Sequence, residues 1–489
     1  MRNKLSSCAI VALLAMPLSL SACGDDDGDS PEGTGGRQNT GGSAGNSSGG
    51  STTGGRGGQG GGATAGNTNG GNAGEPGGEA GAGGMPPTAC DLSGEGLERE
   101  ELPLDIDEDL ELTNDVVWTI NGMVKVHDGA TLTIPPCTRL EGTAEPAGIL
   151  AVLQGGRIEA EGSADAPILF TSQEPTPPAT RAAGQWGGIV LLGRAPITRP
   201  GGGTTARYEG LTEDDFTYGG SLAEDDSGVL SYVRIEYGGY VILEGQEVNG
   251  LSMAGVGNGT QIDHVMVSNT LDDCFEWWGG TVEASHLIAN NCGDDYFDGD
   301  EGWAGGGRYW FGRRDADSVD SEDPNGFELD SINDGSEPRT NFTVRDATLC
   351  STGEESGVTG PHFGMVLREL VQGTFDNLAL VGFEYGIDTR NAFASGDVVI
   401  ENSKAWELLT GLGAADGTDN DTLFDDETVF TADASNVLDP DPAPFSLAEC
   451  LEAAGPAASV IESETGAFPT PAAVQAWELD GMWVNWATE

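Results

Sequence analysis

The chain has 489 residues, with 80 Asp and Glu against 21 Lys and Arg, for a formal net charge of −59. That balance excludes a nucleic-acid partner, because a phosphate backbone needs a basic stripe to displace its counterions. The 78 glycines follow no Gly-X-Y period, which excludes collagen, and 37% hydrophobic residues with 10 Trp exclude disorder throughout.

The chain opens with basic residues at Arg2 and Lys4. Residues 8–20 then form an apolar stretch too short to span a bilayer as a mature helix, and Leu20-Ser21-Ala22-Cys23 follows at once. The run resembles the lipobox of bacterial lipoproteins. That resemblance implies a signal peptide over 1–22, removed so that an acylated Cys23 becomes the N-terminus. The alternative is an ordinary secretory signal with Cys23 left free. Each buried acyl CH₂ adds ~0.8 kcal/mol, so several acyl chains anchor effectively without release. Gly24, rather than Asp, follows the cysteine, which favours the outer membrane. Residues 24–88 hold 26 glycines in 65 residues, and up to Gly84 there is no Val, Ile, Leu, Met, Phe, Tyr or Trp. Nothing there repays the entropy of ordering, so 23–88 is expected to be a disordered Gly-rich tether with a reach of about 45 Å.

The folded part is expected over 89–489, with a C-terminal cap from about 440. Short apolar/polar alternations recur between Gly, Asn and Asp, among them 132–134, 150–152, 158–160, 168–170, 189–191, 233–235, 265–267, 287–289 and 378–380. These are strands of three to five residues rather than helices. Residues 263–276 align with 285–298: His264 with His286, Asp272 and Asp273 with Asp294 and Asp295, and Glu276 with Asp298. An offset of 22 with one set of strands per turn predicts an all-β solenoid, a parallel β-helix of about a dozen coils.

Six cysteines remain beyond the signal and Cys23: Cys90, Cys137, Cys274, Cys292, Cys350 and Cys450. An even number in an exported chain predicts disulfides, and no CxxC or His-flanked pair argues for zinc. Cys274 and Cys292 are 18 apart against a repeat of 22, so they fall on adjacent coils at the turn that carries the Asp pairs, and they are predicted to be bridged. The pairing of the other four stays open.

Val117-Trp118 and segments 129–135, 164–172 and 184–189 look like the opening coils of secreted right-handed β-helix proteins. Segments 233–239, 249–257, 272–280 and 325–328 resemble a large group of bacterial cell-surface lipoproteins, and the resemblance covers about 110–489. It implies a right-handed parallel β-helix. The group carries no established activity, so no catalytic residue transfers, and Cys137 stands where such openings have Gly.

Stacking places Glu276, Asp298, Glu328 and Asp388 in one carboxylate column flanked by Asp272, Asp273, Asp294, Asp295 and Asp300. Like charges that close need relief: backbone amides, Arg313, Arg314 or Arg390, protonation, or a hard cation, for which Ca²⁺ is the natural choice. A rival reading is a retaining glycosidase with Glu276 and Asp298 as its carboxylate pair and Trp277 and Trp278 as a stacking platform, with Trp303 and Trp310 as further stacking candidates. The same Trp residues also suit closure of a coil against solvent. A lyase acting on anionic sugars fits poorly, since only Lys125 and Lys404 remain beyond the signal. His264 and His286 are expected to form an outward, solvent-facing ladder, with a transition-metal site as the alternative. The expectation is a lipid-anchored, acidic extracytoplasmic protein of the outer membrane that binds a glycan or surface partner. The alternatives are a carbohydrate-active enzyme and a purely structural envelope protein.

Overall fold

The computed structural model describes residues 90–173, 181–243, 246–315, 324–352, 362–390, 396–413 and 426–486. The expected signal peptide, Cys23 and the tether lie outside the described residues.

Strands Val116–Ile120, Met123–Val126 and Thr131–Ile134 make the three legs of one coil. Arg139–Gly142, Ile149–Val152 and Arg157–Glu161 repeat them. The legs pair in parallel, Val117 beside Arg139, Lys125 beside Ala151 and Leu132 beside Ile158. Side chains alternate across each leg as strand geometry requires. Val124, Val126, Leu132 and Ile134 are buried, while Lys125 and Thr133 stay partly exposed.

At Gly228–Glu236 the coil changes. This strand continues the third leg, with Leu230 beside Ala160, and runs on without a break into the first leg, with Val233 beside Ile168. The join is a bend at Tyr232, whose φ is 51°. The same bend recurs at His264, His286, Tyr309, Asp346 and Asn377, all with φ between 52° and 64°. Strands Gln261–Ser268, Glu283–Asn290, Gly306–Arg314, Asn341–Ser351 and Gln372–Val381 therefore stack as bent ribbons. Among the described residues the first sheet has 16 strands and the second 11, and the pairings between successive coils are parallel. The chain is a parallel β-helix, and the offset of 22 is its register: Asp263 lies beside Ser285 and Glu276 beside Asp298.

The core is aromatic where the acidic repeat lies. Trp277 stacks on Trp303 at 4.8 Å and on Trp310 at 5.3 Å, with the last pair only 3° from parallel. Phe275, Phe297 and Phe327 stack beside them at 5.5 and 5.4 Å. Trp277, Trp303 and Trp310 are 0%, 1% and 0% exposed, so they cannot offer a stacking surface to a ligand. Alternation explains this: Trp277 shares the inward face with Phe275, whereas Trp278 faces out and packs edge-on against Tyr208 at 4.9 Å.

Helix Glu427–Thr431 contributes buried Val429 and Phe430 to the main core. The segment expected as an end cap does something different. From Phe445, edge-on to Trp406, it runs back along the flank of the coils as a strap. Cys450 is bridged to Cys350, the Ala467 amide donates to Thr348 Oγ1 at 2.9 Å, and the Trp483 amide donates to the Ala164 carbonyl at 3.1 Å. The strap buries the outward-facing Met266, Ile288, Phe311 and Val381 under Phe468, Trp477 and Trp483. Each such side chain removed from water contributes roughly 1.5–3 kcal/mol. Cys90–Cys137 and the expected Cys274–Cys292 are also bridged, with Cα separations of 5.6 and 5.4 Å. No helix of the described residues is long and apolar enough to cross a membrane.

Candidate functional site

Strands Phe275–Trp278, Phe297–Asp300 and Phe327–Leu329 stack in the second sheet and set three outward carboxylates, Glu276, Asp298 and Glu328, in one column. Ser252 occupies the same position in the coil before Glu276. The column does not continue directly to Asp388, because Val366 stands between Glu328 and Asp388 and breaks the run of charge.

The turn preceding these strands carries a second ladder. Asp273 Oδ1 accepts the Asp295 amide at 2.7 Å, and Asp295 Oδ1 accepts the Asn325 amide at 2.5 Å. One oxygen of each carboxylate is thus held by the backbone of the next coil. Asp272, Asp273 and Asp294 bring one oxygen each within 4.8 Å of one another, and so do Asp273, Glu276 and Asp298. Asp273 belongs to both clusters.

The electrostatics follow from this crowding. Burial first, then Asp298, drives the Glu276 carboxyl well above its ordinary range. Burial also raises Asp272, Asp273, Asp295 and Asp298, each reinforced by a neighbouring acid: Asp294, Asp295, Asp294 and Glu328 in turn. Arg313 does not relieve them; it donates to Asn290 Oδ1 and to the strap carbonyl of Glu452, both at 2.7 Å. Arg314 lies over the Tyr296 ring and donates to the Asn325 carbonyl, and Arg390 pairs with Asp388. A cation that does reach the column is Arg368, which pairs with Glu328 at 2.5 Å and with Asp330 at 3.0 Å.

Asn249 completes the site from the coil before. It is 1% exposed and its Nδ2 donates to Glu276 Oε2, yet its Oδ1 accepts no hydrogen bond. A buried amide oxygen without a donor is expensive, and the carboxylates next to it form an all-oxygen donor set. Such a set suits Ca²⁺, which takes six to eight oxygens from carboxylates and carbonyls. Sequence reasoning missed Asn249; the signal that could have found it is the register that sets it in line with Asp273 and Asp295.

Glu276 and Asp298, adjacent in register, bring one oxygen each within 4.8 Å of the other. The aromatic platform that the glycosidase reading invoked is in the core, apart from Trp278, whose ring is engaged by Tyr208.

The histidines do stack, at 4.1 Å, between Tyr232 and Tyr309. They do not face solvent. His264 is 4% exposed, and Trp483 and Trp477 of the strap press edge-on against His264 and His286. Asp263 joins both Nδ1 atoms at 2.8 Å, and His264 Nε2 meets the Ala476 carbonyl at 2.7 Å. This cluster ties the strap to the coils.

The pattern of the family described as "Pectate-lyase like beta helix domain" matches residues 104–436. The catalytic domain of a GH87 alpha-1,3-glucanase variant, solved in complex with tetrasaccharides, is similar at 11% identity and a TM-score of 0.30, over 72% of this chain and 69% of that one. No curated protein matches the chain. With a matched stretch spanning most of the described coils, this chain belongs to the pectate-lyase-like β-helix family.

Proposed function

We propose that this is a lipid-anchored extracytoplasmic binding protein of the outer membrane, whose acidic face holds Ca²⁺ as structural support and whose β-helix presents a surface to an envelope glycan. One observation carries the reading: two carboxylate clusters share Asp273, and the buried Asn249 oxygen beside them lacks a donor. The anchor rests on Cys23 and the residues before it, and the tether gives the folded part its reach from the membrane surface.

Calorimetric titration of Ca²⁺ into the chelator-treated protein tests it. Saturable binding is expected, weakened at least about tenfold by Glu276→Gln with Asp298→Asn, which removes ligand charge. Absence of saturable binding in the unaltered protein would remove the metal from this reading. For the anchor, Cys23→Ala should move the protein from the detergent-extracted membrane fraction to the soluble one. Equal release of the unaltered protein would contradict acylation.

A further inference from the structure

A groove of about 640 Å³ opens on the outer face of the first half of the bent strands, on a different sheet from the acidic column. Register builds its floor. Asp263, Ser285, Arg308 and Arg345 stand in one outward row across four coils, and Glu283, Gly306 and Thr343 in the next. At Gly306 and Gly307 the backbones of adjacent coils approach too closely for any side chain. A Cβ would stand 2.0 Å from the Thr343 carbonyl oxygen at Gly306 and 1.8 Å from that of Ala284 at Gly307.

The lining is unlike the rest of this acidic chain. Two carboxylates, Asp263 and Glu283, face two guanidiniums, Arg308 and Arg345, with the amides of Asn258 and Gln261 beside them. The charges of the lining balance. Its apolar members, Ile262 and Ala284, turn into the core, so the groove offers no socket for the apolar side chains of a peptide. It offers donors and acceptors at close intervals, which is what sugar hydroxyls, each both donor and acceptor, require. Two of the groups are set in place beforehand. Asp263 is fixed by His264, His286 and Ser285, and Arg308 lies 4.1 Å over the Tyr309 ring while bonded to Asp346 at 2.7 Å. Glu283 and Arg345 remain exposed, and the Arg345 guanidinium reaches Asp376 only at 3.9 Å. Three strand steps of about 4.8 Å give the row a length of about 14 Å, that of a short oligosaccharide.

We infer that this groove binds a neutral oligosaccharide laid along the solenoid axis, with Glu283 and Arg345 as its open contacts and Asp263 and Arg308 as its fixed ones. The inference rests on the glycan-binding reading above and assigns the site and the ligand's charge class. An anionic glycan would lose more to the chain's −59 than two balanced arginines return.

The test is an array of neutral, uronate-containing and peptide probes read with the intact Ca²⁺-supplied protein, followed by calorimetry with the strongest neutral oligosaccharide. Glu283→Gln with Arg345→Ala changes two exposed side chains, so the melting temperature should stay within about 1 °C, and affinity for the neutral sugar should fall at least about tenfold. Neutral-glycan binding that the double variant leaves unchanged would overturn the groove while leaving the binding reading intact. Binding of uronate or peptide probes alone would likewise overturn it. Failure to bind any glycan would overturn both.

Discussion

Asp263 shows how a single side chain organises two surfaces. Burial alone would raise its carboxyl, but the bonds from His264, His286 and Ser285 outweigh that and hold it well below the usual carboxylate range. His286 goes the other way: burial lowers it despite its bond to Asp263, with His264 and Arg308 adding repulsion. The sign of the resulting pH dependence follows. As pH falls below the unfolded value of about 6.5, the unfolded chain takes up a proton that folded His286 refuses, so this residue's contribution to stability is lost on acidification until the folded value is reached. His286→Phe keeps the ring stack and removes the titration. The slope of unfolding free energy with pH just below about 6.5 should flatten in that variant; an unchanged slope would show that the proton is taken up elsewhere. His264→Phe forfeits bonds to Asp263 and to the Ala476 carbonyl, leaving a buried acceptor unmet, and should cost about 1–3 kcal/mol in urea denaturation. That these imidazoles stack was legible from the offset of 22. That they are covered was not, because the covering Trp477 and Trp483 lie about 200 residues downstream with no periodicity linking them.

The coils were readable because each is built from local alternation repeated in register, and residues 263–298 carry two copies in direct succession. The bent ribbons were less so, since a left-handed bend falls on Tyr, His, Asp or Asn here and no single residue type announces it. The strap had one visible sign. Met266 and Ile288 are apolar at positions that alternation sends outward, and such positions need a cover. Cys450 fixes that cover to the coils across a separation of 100 residues. Removing a cross-link of that span costs roughly 2–5 kcal/mol. Cys450→Ser should therefore raise hydrogen exchange across residues 445–486 while the strands of the second sheet keep their protection. Uniform loss of protection would mean that strap and coils unfold as one unit rather than as separable elements.

At the scale of the whole molecule, part of the acidic excess is concentrated on one face. Glu276, Asp298 and the paired aspartates crowd on one face, and their positions were legible from sequence, whereas Asn249 and the arrival of Arg368 were not, since both depend on which coil stacks beside which. Five carboxylates held above their ordinary range bind protons more tightly folded than unfolded. Their penalty is absent below the unfolded values near 4 and grows as pH rises toward the folded ones. A bound Ca²⁺ replaces those protons and adds RT ln(1 + [L]/Kd), about 2.7 kcal/mol at a hundredfold excess over Kd. The most direct measurement is the melting temperature from about pH 5 to about pH 8, with chelator and with Ca²⁺ at matched ionic strength. The chelated protein should lose stability as pH rises and the Ca²⁺-loaded protein should melt higher with a flatter profile, the two diverging most at the alkaline end. Superimposed profiles would contradict the acidic face as a cation site.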